Sequence, residues 1–149
     1  MLLAWAALFT LVLAPAERFL GSRRWVLTFA AGHVGATLVT ACVLWIAIHD
    51  RWVEARLGRV QDVGASYGFL AVAAALTFAL SGRRRIAYTV GLWAAVGGGA
   101  LVTEGTTTIG HAASVLLGYL CWLAYGRRGS WPSAHSAAIP ARGRSSSPS

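Results

Sequence analysis

The stretch VGASYGFLAVAAALTFAL, residues 63–80, decides the fold class. It carries no charged side chain, and its apolar residues run on without alternating with polar ones. A half-buried strand would alternate, so the segment reads as a helix apolar on every side. Its length is about that of a helix crossing a bilayer, for which roughly 17–25 residues are needed. Hydrocarbon satisfies no backbone N–H or C=O, which leaves helices and closed barrels as spanning structures, and the unbroken apolar run selects the helix.

Working outward, four more apolar segments appear, at about residues 1–14, 25–48, 86–102 and 109–125. The first could pass for a signal-peptide core, but it lacks a basic flank and a small-x-small cleavage site, so it reads as a helix that begins at the chain start. The expected fold is all-α, a polytopic transmembrane bundle of about five helices. Composition agrees. Of 149 residues, 56% are hydrophobic and 12% charged, where soluble domains carry about a quarter charged residues. The net charge of +8 comes from thirteen Arg and no Lys. These cluster at the ends of apolar runs, so membrane topology explains them and nucleic acid is not an expected partner. Cys42 and Cys121 lie inside apolar runs without metal-ligand spacing and are expected to be small buried hydrophobes. No cofactor motif and no metal site is present.

The connections order the helices across the membrane. Arg18, Arg23 and Arg24 follow the first segment, Arg83, Arg84 and Arg85 precede the fourth, and Arg127, Arg128, Arg142 and Arg144 follow the fifth. With five crossings these ten share one side. Arg51, Arg56 and Arg59 lie on the other, balanced by Asp50, Glu54 and Asp62. The positive-inside rule then predicts a multi-pass protein of the cell membrane, N-terminus outside and C-terminus cytoplasmic. Residues 1–126 form the transmembrane domain. Residues 127–149, rich in Ser, Pro and Arg, form a disordered basic cytoplasmic tail resting on anionic headgroups.

Depth brings polar residues together. The third and fifth segments both run from outside to inside, so Ser66 and His111 lie near the outer end of each. A serine and a histidine at matched depth are the minimum for a nucleophile and its general base. The Ser66 amide, near a helix start, is a candidate oxyanion donor. The competing reading is packing: Gly64-x-x-x-Gly68 is a small-xxx-small pattern of the kind that brings membrane helices close. Of the other histidines, His33 lies about fifteen residues short of the outer end of its segment, about 22 Å at the helical rise. It reads as too deep to reach Ser66, and an interhelical hydrogen bond is expected of it. His49, beside Asp50, reads as a solvated position, His135 as a solvated tail residue, and Ser114 as a packing residue.

Three stretches together resemble the rhomboid family of intramembrane serine proteases, in particular the shortened, divergent rhomboid-like proteins of actinobacteria. APAERFLGSRRW (14–25) is similar to the glutamate, leucine-glycine and basic stretch ending the second rhomboid helix. GASYG (64–68) is similar to the Gly-x-Ser-Gly opening of the fourth, with Tyr67 where a second glycine is usual. GHAASVLLG (110–118) is similar to the sixth-helix pattern of histidine and small residues, with Ser114 where glycine is common and Gly118 in place. GHVGATL (32–38) is similar to the divergent subgroup. The resemblance covers about residues 5–125. It implies that the five helices are the second to sixth of a six-helix core, that Ser66 is the nucleophile and His111 the general base, and that the substrates are transmembrane segments of other membrane proteins. An alternative alignment, with VEARLG (53–58) as the glutamate motif, turns Ser66 to the cytoplasm against the arginine pattern.

The resemblance also marks a departure. The family's oxyanion-binding histidine and asparagine fall near Met1 and Trp5, and neither residue is present there. The absent first helix and the start within an apolar run lead to the expectation of an N-terminally truncated chain, with impaired endopeptidase activity. The alternative is a non-proteolytic rhomboid-like protein that binds membrane clients. The oligomeric state is left open.

Overall fold

The computed structural model describes residues 9–52, 65–99 and 105–126. Among them every regular element is helical. A π-helical turn, Phe9–Leu13, runs into α1 (Ala14–Leu20). Pro15, in the first turn of α1, has no N–H to offer Leu11, and the ladder before it is widened rather than broken. Gly21, at φ +78° and ψ 149°, turns the chain within one residue. Its N–H closes α1 on the Glu17 carbonyl at 2.7 Å, and its carbonyl accepts the Trp25 N–H at 2.9 Å. The Ser22 hydroxyl donates to Glu17 Oε1 at 2.7 Å across the corner. The first connection is therefore a corner rather than a loop: Arg18 lies in the last turn of α1, and Arg23 and Arg24 in the first turn of α2.

Helix α2 (Ser22–His49) runs for 28 residues, about 42 Å. Helix α3 (Ser66–Leu76) is short and tightens into a 3₁₀ turn at Thr77–Ala79. Helix α4 is Gly82–Gly99, and α5 is Gly105–Gly126. The five segments are thus present with shifted ends. α4 starts four residues earlier than the hydropathy suggests and takes all three of its arginines into its first turn. Ser22–His49 and Thr107–Gly126 are long and apolar enough to cross a membrane; Ser66–Ala79 is apolar but shorter.

The reason α3 can be short is its position. It is the axis of the bundle, and every residue from Phe69 to Thr77 except Leu70 is buried. Helices α2 and α5 grip it from two sides at one level. A Cβ on Gly32 would strike the Ala71 side chain, and one on Gly118 would strike the Ala71 carbonyl. Close backbone approach of this kind is how helices associate where lipid removes the hydrophobic drive. On a third side the π-turn and α1 bring Leu13 and Ala16 against Phe69, Val72 and Leu76. On the fourth, Val96 of α4 packs with Ala74 and Val115.

The end of the bundle farther from Ser66 is closed by aromatic rings. Trp122 of α5 stacks between Phe19 of α1 and Phe78 of the 3₁₀ turn, at 4.8 and 5.5 Å between centroids. The Arg85 guanidinium lies 4.7 Å above Phe78. Nearby, Thr28 and Tyr125 share a hydrogen bond of 3.2 Å, and Arg24 lies 5.4 Å over the Tyr125 ring. The arginines of the first and third connections therefore meet at one end of the bundle. Residues 127–149, assigned to the basic tail, lie outside the described residues.

Two expectations are corrected. Cys42 is exposed on α2 and Cys121 half-buried, so neither is a fully buried hydrophobe. The depth argument against His33 also fails. Gly32 lies beside Ala71 and the Tyr67 carbonyl, so the His33 turn is level with the first turns of α3. Ser66 stands only about 7 Å farther along the axis by helical rise. α2 runs on well past the start of α3, and its far end was the wrong point from which to measure.

Candidate active site

Ser66 is the first residue of α3, and its side chain is half-buried. His111 lies in the second turn of α5, also half-buried. Because both glycine contacts at Ala71 fix α3 against its neighbours, these two side chains meet. His111 Nε2 is 3.2 Å from Ser66 Oγ, within hydrogen-bond reach. The amide of Ser66 sits in the first turn of α3, where a helix supplies no acceptor for its own N–H groups.

The imidazole is held by a residue that sequence reasoning met only as a departure from a motif. The Tyr67 ring stands edge-on to that of His111, centroids 5.4 Å apart and planes at 79°. Tyr67 is 1% exposed, the largest fully buried side chain described. It has room because residue 110 is glycine: a Cβ there would strike the Tyr67 ring. One turn on, the buried Ser114 donates its hydroxyl to the Gly110 carbonyl at 2.9 Å. That is the structural role expected of Ser114. The signal for Tyr67 was a bulky aromatic in a glycine position, matched by a glycine directly before the histidine.

The remaining histidines are elsewhere. His33 stacks on Phe29, whose ring lies over Gly68 and edge-on to Phe69, the side of α3 turned away from His111. Its Nδ1 is buried without a hydrogen-bond partner, so the expected interhelical bond is not made. His49 ends α2, exposed, and stacks on Trp45 at 5.4 Å. Met1 and Trp5 lie outside the described residues, as does His135.

Beside the pair opens a cavity of about 500 Å³ between α3, α4 and the π-turn. Ser66 and His111 line it at one end, Tyr88 at the other, and Val12, Phe69, Leu70 and Leu92 form its walls. Tyr88 is fixed: its hydroxyl donates to the Ala73 carbonyl at 3.1 Å. That carbonyl is available because Thr77, at the tightened end of α3, bonds Ala74 instead. An apolar cleft with a few convergent polar groups at one end is the usual form of a small binding site.

The sequence model of a family described as "Rhomboid-like protein" matches residues 1–130. No curated protein and no solved structure matches the chain.

Proposed function

The chain belongs to the rhomboid-like protein family, and from that premise we propose that it is an intramembrane serine endopeptidase working through a Ser66–His111 dyad. The observation that carries this reading is the 3.2 Å approach of His111 Nε2 to Ser66 Oγ. As Ser66 Oγ attacks the scissile carbonyl, its proton passes to His111 Nε2. The tetrahedral oxyanion is met by the Ser66 amide at the helix start. Collapse breaks the C–N bond, and the proton on His111 goes to the leaving amine, which departs with the C-terminal fragment. Water then attacks the Ser66 ester with His111 as base, releasing the acid and restoring the hydroxyl. Substrates are transmembrane segments of other membrane proteins.

The protein is multi-pass, N-terminus outside, with the arginine end of the bundle in the cytoplasm and the dyad toward the outer face. The support is charge: the arginine-rich connections converge on one end, and that end is retained inside.

The test is a serine-directed fluorophosphonate probe on the purified protein. Ser66-dependent labelling, lost in Ser66→Ala and strongly reduced in His111→Ala, is expected. A folded protein that stays unlabelled would falsify the protease reading. A second reading, a non-proteolytic member that binds membrane clients, is favoured by one observation: near Met1 and Trp5, where the resemblance puts the oxyanion histidine and asparagine, the sequence has neither residue.

A further inference from the structure

Thr77, where α3 tightens, does not do what the other helical hydroxyls do. Thr37, Thr89 and Ser114 each turn the hydroxyl back onto the carbonyl four residues earlier, at 2.7, 2.8 and 2.9 Å. For Thr77 that carbonyl belongs to Ala73, and it already accepts from the Tyr88 hydroxyl of α4 at 3.1 Å. Thr77 is 3% exposed, and among the described residues its Oγ1 has no hydrogen-bond partner. The Tyr119 hydroxyl of α5 is buried and unpartnered in the same way. The two belong to one place. Ala73 and Thr77 stand one turn apart on one face of α3. Tyr119 packs in the cluster of Ala74, Val96 and Val115, its ring edge-on to Phe78 with centroids 5.7 Å apart. It is also close enough to Tyr88 to act on it electrostatically. The last turn of α3 is thus met by three hydroxyls, one each from α3, α4 and α5.

Buried hydroxyls are costly when unbonded, and native structures pair nearly all of them with protein or with ordered water. The protons say which ligand fits. Thr77 and Tyr119 each have one to donate, while Tyr88, whose proton is on Ala73, has lone pairs to offer. The ligand therefore accepts two hydrogen bonds and donates one, about the three that a buried water makes. A cation has no lone pair for the two protons, and the Arg85 guanidinium, 4.7 Å above Phe78, already brings positive charge to this turn. An anion has no proton for Tyr88. We propose that Thr77, Tyr119 and Tyr88 hold one buried water molecule, the joint that fastens α4 and α5 to the end of α3. Neither Thr77 nor Tyr119 belongs to the Ser66–His111 pair, and the water stands apart from its chemistry.

Two measurements on the full chain in lipid nanodiscs test this. In the first, a short X-ray pulse splits bound water into hydroxyl radicals, which oxidise the nearest side chains, and the products are mapped by mass spectrometry. Tyr119 is expected to be oxidised, and Thr77→Val, which keeps the shape and removes the hydroxyl, is expected to lose that oxidation. Leu13 and Val72, buried in the apolar cluster on the other side of α3, should stay unmodified in both proteins and so report an intact core. In the second, thermal unfolding is compared for Thr77→Val, Tyr119→Phe and the double variant. With a shared water each single change lowers the melting temperature, and the double variant falls no further than the larger single one. Melting temperatures that hold or rise in both single variants mean unbonded hydroxyls, and losses that simply add mean two separate partners. Coupled losses without Tyr119 oxidation mean a direct bond between Thr77 and Tyr119. Each of these three results, or oxidation of Tyr119 that survives Thr77→Val, overturns the proposal.

Discussion

Tyr67 holds His111 edge-on, ring centroids 5.4 Å apart, so the residue next to Ser66 fixes the orientation of the imidazole. Ser66 and the support for its histidine partner thus leave the first turn of one helix in different directions. The ring, not the hydroxyl, makes this contact. Tyr67→Phe should therefore keep most of the probe reactivity of Ser66. Tyr67→Ala should lower it by about 10²-fold, the scale of a reacting group misplaced by an ångström, and should also destabilise the bundle by about 3–5 kcal/mol. Gly110→Ala separates the two effects, because it pushes the ring without deleting it. Labelling rates read beside thermal unfolding test all three.

The two glycines at Ala71 are not alike in what they touch. A Cβ on Gly118 would meet the Ala71 carbonyl, and backbone cannot swing aside. Gly118→Ala is expected to cost about 1–3 kcal/mol or more as an overpacked core. Gly97, on α4, has nothing near its missing Cβ. Gly97→Ala should be neutral or stabilise by up to about 1 kcal/mol. Unfolding in a denaturing detergent series measures both, and equal effects would contradict the packing described.

His33 has a buried Nδ1 with no partner and a ring stacked on Phe29. An unpaired buried polar atom is a cost that an apolar side chain removes. His33→Phe should leave Ser66 labelling unchanged and hold or raise the melting temperature, whereas His111→Phe should abolish labelling. A loss of labelling in His33→Phe would place His33 in the chemistry.

Thr28 is fully buried and reaches Tyr125 across the interface of α2 and α5. Hydrogen bonds between membrane helices are worth about 0.6 kcal/mol on average and up to about 1.7. Thr28→Val should lose about that much in detergent unfolding, and adding Tyr125→Phe should cost a further fraction of it, since the Tyr125 hydroxyl also donates to the Arg24 carbonyl at 3.4 Å.

Much of this architecture was legible in the sequence because lipid allows few solutions. Continuous apolar runs had to be helices, and the arginine clusters at Arg23–Arg24 and Arg83–Arg85 had to come to one end. The approach of Ser66 to His111 followed from counting crossings. What the sequence hid depends on contacts between segments. Hydropathy could not tell that residues 67–77, Leu70 apart, are buried by protein, since protein and lipid surroundings are both apolar. The depth of His33 is hidden from hydropathy because α2, at 28 residues, outruns the 11 residues of α3. The one-residue corner at Gly21 was hidden because polar residues on each side of it looked like a loop but are the ends of two helices. In the sequence Tyr67 is only a departure from a glycine position, and the contact with Gly110 shows it as a fitted part.

The burial of α3 has a mechanical consequence. A helix enclosed by its neighbours over most of Tyr67–Leu76 is less open to hydrophobic mismatch, which works by tilting helices to match the bilayer. Helix α5, with Leu116, Leu120 and Leu123 exposed, is open to that pull. A change in membrane thickness is thus expected to reach His111 before Ser66, and Ser66 labelling compared across vesicles of different acyl length checks whether the 3.2 Å between them responds.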